Sequence, residues 1–169
     1  GVGWVAFRHC VLAAGCRERS IGSLPVCGTH PAGIFTAGTA QKLTNIGKYD
    51  VGDEIVILGS GDIGQIMARR FALCGKHVIA MIEQRGELGG LARNQQECIQ
   101  AYHIPVILHA TVDEILGEGR LSGVMVRYLD TGRREYLACR TLITALGLIP
   151  EQELIAPLCK NGVLPPWLH

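Results

Sequence analysis

Three glycines spaced as G-x-G-x-x-G stand between an apolar run and a helical pattern near the middle of the chain. Gly59, Gly61 and Gly64 follow residues 55–58, a β-branched apolar run that predicts a strand buried on both faces. Apolar side chains then recur at helical spacing over residues 63–74. The predicted stripe consists of Ile63, Ile66, Met67, Phe71 and Cys74.

A second apolar run and an acidic residue complete this unit. Gly75 fits the end of the helix, residues 78–82 are apolar, and Glu83 follows at about 20 residues beyond the glycines. The glycine pattern alone is a weak signal, and the alternative is a glycine-rich turn that binds nothing. Strand, turn, helix, strand and acid in this order favour a dinucleotide-binding unit.

Each residue of such a unit has a physical task. Gly59 permits the tight turn, Gly61 lets a pyrophosphate approach the backbone, and Gly64 lets the helix pack closely on the strand. The amides and positive dipole end of the helix then face the diphosphate. The Glu83 carboxylate is expected to accept hydrogen bonds from the adenosine ribose hydroxyls.

The hydrophobic period changes after the dinucleotide unit. Residues 111–116, 121–129 and 134–139 are strand-like and are separated by hairpin turns, which predicts a three-stranded antiparallel meander. Residues 141–146 form a further apolar strand. We therefore predict an α/β fold, a Rossmann-like three-layer domain with a parallel sheet and a three-stranded antiparallel β-meander.

The remaining segments carry weaker patterns. We predict a strand over residues 7–14, an irregular connector over 17–34, a short helix over 36–46, a second helix over 91–102 and a strand over 105–109.

Composition excludes several functions. The net charge of +1 gives no electrostatic reason to bind nucleic acid or an anionic membrane, and the longest apolar stretches are far below the ~18 residues of a membrane span. Seven cysteines without a C-x2-C pair favour a reduced, cytoplasmic protein with mostly buried thiols over a redox disulfide or a metal site. No metal ligand set and no catalytic residue is predicted.

The stretches "VLAAG" (residues 11–15) and "ITALG" (residues 143–147) both end an apolar run in Ala-x-Gly. Together with the unit at 51–150, they resemble the two-dinucleotide flavoproteins, the pyridine nucleotide-disulfide oxidoreductase superfamily. Within that superfamily, "GIFTAGTAQKLTNIGKY" and "GSGDIGQIMARRFALCG" look closest to the flavin subunits of opine oxidase and hydrogen cyanide synthase.

The resemblance implies a division of the chain. Residues 1–20 would be a remnant strand of the FAD domain, 21–50 a connector, 51–150 the NAD(P)-binding domain, and 151–169 a connector back to the missing FAD-domain segments. The strand at 7–14 would then lack its partners and would pack on the domain or pair with another copy, giving a possible homodimer.

The resemblance also implies the cofactors and their contacts. The chain would bind NAD, with NADP possible, and position it for hydride exchange with the FAD of the full-length enzyme. The alternative is a non-catalytic NAD(H)-binding or regulatory module. Ile66 stands where disulfide reductases of the superfamily often carry an acid, which weakens that particular activity. The candidate cofactor-binding residues are Gly59, Ser60, Gly61, Asp62, Ile63, Gly64, Glu83, Gln84, Arg85, Ala145, Leu146 and Gly147.

Two neighbouring charges bear on the choice between NAD and NADP. The Glu83 carboxylate would repel a 2′-phosphate, whereas Arg85, two residues further on, could pair with one. We favour NAD because the end of a strand fixes the position of the acid, while Arg85 lies on a loop.

We predict that this chain does not retain FAD by itself. Its single G-x-G-x-x-G is assigned to the nicotinamide unit, and the flavin fingerprint of the superfamily does not occur in its sequence. Purified chain should lose added FAD on desalting and show no visible flavin absorption. A yellow product with one flavin per chain would contradict the assignment.

Overall fold

The computed structural model describes residues 3–162, which fall into two compact units. The larger unit extends from Glu18 to Gly147. The smaller unit combines the residues up to Arg17 with those from Leu148 onward.

A five-stranded parallel sheet forms the middle of the larger unit, with the strand order β3-β10-β4-β5-β6. The strands, numbered along the chain, are β3 (Ile34–Thr36), β4 (Glu54–Leu58), β5 (His77–Ile82), β6 (Val106–Ile107) and β10 (Thr141–Thr144). In β4 and β10, predicted as buried strands, every residue from Ile55 to Leu58 and from Thr141 to Thr144 is buried.

Both faces of this sheet are covered, which explains the unbroken apolar runs. Ile55 and Ile57 of β4 point into a core shared with the helices, and Val56 and Leu58 point into a second core shared with the antiparallel strands. Alternate residues of a strand face opposite sides of a sheet, so a strand between two layers must be apolar at every position. The predicted three-layer α/β fold is therefore confirmed.

Helices cover one face. They are α1 (Ala37–Asn45), α2 (Asp62–Leu73) and α3 (Ala92–Asn94), the last continuing as a π-helical turn over Gln95–Gln100. Thr36 caps α1 through its side chain, and Gly75, with a φ of +74°, follows the end of α2 as predicted. A 3₁₀ turn (Ile21–Ser23) precedes α1, and α4 (Ile155–Lys160) belongs to the smaller unit.

The other face carries the predicted meander. Strands β7 (Ala110–Glu118), β8 (Arg120–Tyr128) and β9 (Arg134–Ala138) pair antiparallel in sequence order. A two-residue strand, β2 (Cys27–Gly28), adds to β7 in parallel.

The predicted apolar stripe of α2 is only partly correct. Met67 and Phe71 are buried, but the side chains of Ile63 and Ile66 are 43% and 46% exposed, and the fully buried Gln65 replaces them on the inner side. The glycine turn sets the rotation of the helix, because Gly64 must face the strand. Ile63 and Ile66 therefore turn outward.

The strand predicted over residues 7–14 is not formed. Residues 3–15 contain no helix or strand, and Val11 is 90% exposed. A strand requires a neighbour for its backbone groups, and none of the described strands pairs with this segment. The short strand β1 (Cys16–Glu18) lies just after it and pairs with β11 (Leu148–Pro150).

The segment 21–50 is more than a connector, because it supplies β3 at the edge of the sheet and α1 on its face. The compact larger unit, Glu18–Gly147, includes this segment together with most of residues 51–150. The division of the chain between a flavin and a nicotinamide domain remains a prediction.

The expectation of mostly buried thiols is wrong. Cys98 and Cys139 are buried, and burial raises the pKa of Cys139 to about 12, but four other cysteines are exposed. These four are Cys10, Cys16, Cys27 and Cys74. Exposed positions near turns and chain ends do not follow hydrophobic periodicity, so composition could not locate them.

The described residues contain neither a membrane-spanning helix nor a metal site. No helix within residues 3–162 has the length and apolar character needed to cross a membrane. No group of His, Cys, Asp and Glu side chains in the same range is arranged to hold a metal ion.

Candidate functional site

Three parallel strands of the central sheet end side by side. The amide of Gly59, after β4, donates to the carbonyl of Ile82 at 2.8 Å, and the amide of Ala145, after β10, donates to the carbonyl of Leu58 at 2.8 Å. The glycine turn, the end of β5 and the end of β10 are thus held at one edge. In open α/β sheets, ligands bind outside this carboxyl edge.

A cavity of about 480 Å³ opens there. Nine of the twelve predicted residues line it, which brings all three predicted segments to one cleft: Gly59, Ser60, Gly61, Glu83, Gln84, Arg85, Ala145, Leu146 and Gly147. Asp62, Ile63 and Gly64 do not line the cavity.

Sequence reasoning missed five lining residues: Arg19, Leu24, Leu58, Ile82 and Thr111. Leu58 and Ile82 are the last residues of β4 and β5, so their positions at the cleft follow from the strand ends. Arg19 and Leu24 lie in a stretch interpreted as a connector, and no signal in the sequence places them at a ligand site.

Packing requires two of the three fingerprint glycines. Gly59 has a φ of +103°, and a Cβ there would collide with the carbonyl oxygen of Ala145. At Gly64 a Cβ would come within 2.6 Å of the Gly59 carbonyl oxygen and 3.1 Å of the Ala145 Cβ. Both residues allow the close approach of turn, helix and β10.

Gly61 is different. Its φ of −64° and ψ of 170° are open to any residue, and a Cβ there would meet nothing within 4 Å. Neither the backbone conformation nor the packing of protein atoms requires glycine at this position. The surface above it is an open cradle that a side chain would fill.

Gly61 also precedes the free end of α2. The first backbone hydrogen bond of the helix runs from the Gln65 amide to the Gly61 carbonyl at 3.1 Å. The amides of Asp62, Ile63 and Gly64 therefore have no acceptor in the helix. These amides and the helix dipole favour an anion beside the cradle.

Glu83 is buried, with 6% exposure, and protein donors occupy its carboxylate. Oε2 accepts from the Ser60 amide at 3.1 Å and the Ser60 hydroxyl at 2.5 Å. Oε1 accepts from the Arg85 amide at 3.0 Å and from Arg85 Nε at 3.3 Å. Burial by itself raises the pKa of Glu83, but the hydrogen bonds from Ser60 and Arg85 outweigh it and hold the pKa below its ordinary value.

Ser60 extends this hydrogen-bond network to the loop at residues 86–90. Its hydroxyl accepts from the Gly89 amide at 2.8 Å, and Gln65 Nε2 donates to the carbonyls of Ser60 and Gly89 at 2.7 and 2.6 Å. The buried Gln65 side chain thus joins the glycine turn to the loop at residues 86–90. Sequence reasoning did not assign it a role, since a polar residue on an amphipathic helix normally faces solvent.

The side chain of Asp62 binds the residues that directly follow the same loop. Its Oδ1 accepts from the Leu91 amide at 2.8 Å and from Asn94 Nδ2 at 2.7 Å, and these hydrogen bonds lower the pKa of Asp62. The carboxylate therefore stays ionised at neutral pH, directed at α3 rather than into the cleft. The cofactor contact predicted for Asp62 stays a prediction, and its backbone amide, rather than this side chain, lies beside the cradle.

The larger unit is a Rossmann-like α/β domain with a cleft at the carboxyl edge of its parallel sheet. The family model described as "Pyridine nucleotide-disulphide oxidoreductase" matches residues 3–164, and this chain belongs to that family. The predicted superfamily is therefore confirmed. The finer resemblance to the opine oxidase and hydrogen cyanide synthase branch stays a prediction.

Two individual proteins are similar in sequence to this chain. The chain is 23% identical to a thioredoxin reductase of Treponema pallidum over 96% of its own length and 51% of that protein. It is 30% identical to a terpredoxin reductase of Pseudomonas sp. over 81% of this chain and 37% of that protein. The chain thus spans about half or less of these relatives.

A solved structure shares the fold. The crystal structure of T. acidophilum thioredoxin reductase superposes with a TM-score of 0.68 at 23% identity, covering 85% of this chain and 45% of that chain.

The Glu83 network predicts a pH dependence of stability. Because the folded pKa of Glu83 lies below its ordinary value, its contribution to stability is present above the unfolded pKa and is lost as the pH falls through the folded pKa. Glu83→Gln keeps the shape but directs an amide toward donors, so it should destabilise the chain at neutral pH.

Urea unfolding at a series of pH values checks this. The difference in unfolding free energy between parent and Glu83→Gln should be constant near neutral pH and shrink on acidification. Glu87→Gln, an exposed substitution in the neighbouring loop, serves as the control. A difference that grows as the pH falls would refute the network.

Proposed function

We propose that this chain binds NAD(H) in the cleft and is the nicotinamide-dinucleotide domain of an FAD-dependent oxidoreductase. When bound, the dinucleotide and the flavin supply the hydride chemistry. The residues of this chain bind and orient the dinucleotide. Membership of the pyridine nucleotide-disulphide oxidoreductase family supports the proposal.

The single observation that carries the proposal is the cradle at Gly61. A glycine that neither conformation nor packing requires lies beside three helix amides without acceptors in the helix. A diphosphate reaching those amides would occupy the space that a Cβ takes away. A glycine turn that binds nothing has no need of this opening.

The rest of the cleft suits the two halves of the ligand. Glu83 at the end of β5 lies where the adenosine ribose of a dinucleotide is held in this fold. Residues 145–147 follow β10, on the far side of β4 from β5, and would lie along the nicotinamide half. Leu58, Ile82 and Leu146 supply apolar contact area.

We further propose that the cofactor is NAD(H) rather than NADP(H). The four donors from Ser60 and Arg85 occupy about four acceptor sites on the Glu83 carboxylate. The longest of these contacts, from Arg85 Nε at 3.3 Å, is the one that a ribose hydroxyl can replace most easily. A 2′-phosphate would instead meet a buried negative charge.

Gly61→Ala tests the site. We expect the unfolding free energy to change by less than about 1 kcal/mol, because the Cβ meets no protein atom. NADH binding, measured by calorimetry, should weaken at least about tenfold, a loss of about 1.4 kcal/mol.

Gly64→Ala is the matched control for Gly61→Ala. It should reduce stability through its contacts with Gly59 and Ala145. If Gly61→Ala bound NADH as tightly as the parent chain, the cradle would not be the diphosphate site.

Arg85→Gln tests the choice of cofactor. The parent should bind NADH at least about tenfold more tightly than NADPH, and the variant should keep that order, because Glu83 remains. Glu83→Gln should reduce the ratio of NADH affinity to NADPH affinity. Glu83→Ala is a poorer test, because it leaves the hydrogen-bond donors of Ser60 unpaired. A parent that prefers NADPH, with a reversal in Arg85→Gln, would show that Arg85 sets the choice.

A further inference from the structure

We propose that Arg19 is the cationic anchor of the cleft and binds the phosphate on the nicotinamide side of the dinucleotide. This inference rests on the proposed function. It concerns a residue outside the glycine fingerprint, in a segment whose sequence carries no ligand-binding signal. The ligand class is a nicotinamide dinucleotide or another nucleoside diphosphate with a second sugar.

Hydrogen bonds hold both the backbone of Arg19 and the side chain of the residue before it. The Arg19 amide donates to the carbonyl of Gly147 at 3.0 Å, which holds Arg19 at the end of the loop that follows β10. The preceding residue, Glu18, accepts from the Thr36 hydroxyl at 2.6 Å and from the Gly38 amide at 2.8 Å. Glu18 is thereby tied to the start of α1, and Arg19 is placed at the cleft by two neighbouring elements.

The side chain of Arg19 has no partner among the residues that the structure describes. It lines the cleft, and within residues 3–162 no hydrogen bond or ion pair engages its guanidinium group. Arg85, the other arginine of the cleft, is paired with Glu83. Arg19 is therefore the uncompensated positive charge among the lining residues, and it is free to bind an anion.

The charge of the expected ligand explains why a second cation is useful. A dinucleotide diphosphate carries two negative charges, whereas a helix N-terminus offers roughly half of one positive charge. The carboxylate of Asp62, in the first turn of α2, offsets part of that. An arginine can supply the remaining charge and can bind phosphate oxygens through two parallel hydrogen bonds.

The position of Arg19 determines which phosphate it meets. The adenosine half is expected at Glu83, beyond β4 on the side of β5, whereas Arg19 is bonded to Gly147 on the side of β10. The backbone of Arg19 is thus held on the side of the cleft where the nicotinamide half is expected. Ligands that end at the adenosine phosphate should not depend on it.

Arg19→Gln separates this inference from the alternatives. In the full chain, binding of NADH, ADP-ribose and AMP is measured by calorimetry, and circular dichroism checks the fold. We expect roughly tenfold or greater weakening for NADH and ADP-ribose, with AMP changed by less than about twofold. Arg19→Lys, which keeps the charge but not the paired donors, should fall between the parent and Arg19→Gln.

Arg140→Gln is the matched control. Arg140 is exposed, does not line the cleft and precedes β10 at the opposite end of that strand. Loss of one positive charge there should leave all three affinities unchanged.

Three other outcomes of these binding measurements would each overturn a different claim. A parent chain that binds neither NADH nor ADP-ribose would overturn the proposed function itself. If Arg19→Gln bound NADH and ADP-ribose as tightly as the parent chain, only the proposed role of Arg19 would be overturned. Equal weakening of AMP and ADP-ribose would overturn the assignment to the nicotinamide-side phosphate.

Discussion

The buried carboxylate of Glu83 holds the binding edge of this domain together. It accepts hydrogen bonds from both the backbone and the hydroxyl of Ser60, and from both the backbone and the side chain of Arg85. A buried carboxylate without such donors costs several kcal/mol, so this charge is compatible with the fold only while the two turns stay in place. The glycine turn and the end of β5 thus stabilise each other.

The two ends of the cleft therefore differ in charge. At the β5 end, Glu83 and Arg85 largely cancel, whereas near β10 the cation of Arg19 has no counter-charge among the described residues. The free amides of α2 lie between them. An anionic ligand of dinucleotide length therefore meets favourable groups along the middle and one side of the cleft, without opposing an unpaired buried charge.

Local patterns predicted the layers well, because burial on both faces is visible in the residues themselves. Ile55, Val56, Ile57 and Leu58 must all be apolar when alternate side chains enter two different cores. Sequence patterns predicted the structure less reliably where contacts with other segments determine how an element packs or whether it forms. The stripe through Ile63 and Ile66 and the strand over residues 7–14 both had suitable periodicity, but helix rotation and the lack of a pairing strand within the described chain overrode it.

The sequence by itself determined the order of the elements from β4 to β10, the three-layer fold and the three segments that meet at the cleft, because these depend on spacing and polarity along the chain. Only the tertiary structure decided how the side chains are used. It turned Asp62 toward α3, filled the acceptor sites of Glu83, buried Gln65 and brought Arg19 to Gly147. The contacts from Asp62 to Leu91, from Gln65 to Gly89 and from Arg19 to Gly147 join residues far apart in the chain. Their free energies depend on distances that exist only after the sheet and its two layers have packed.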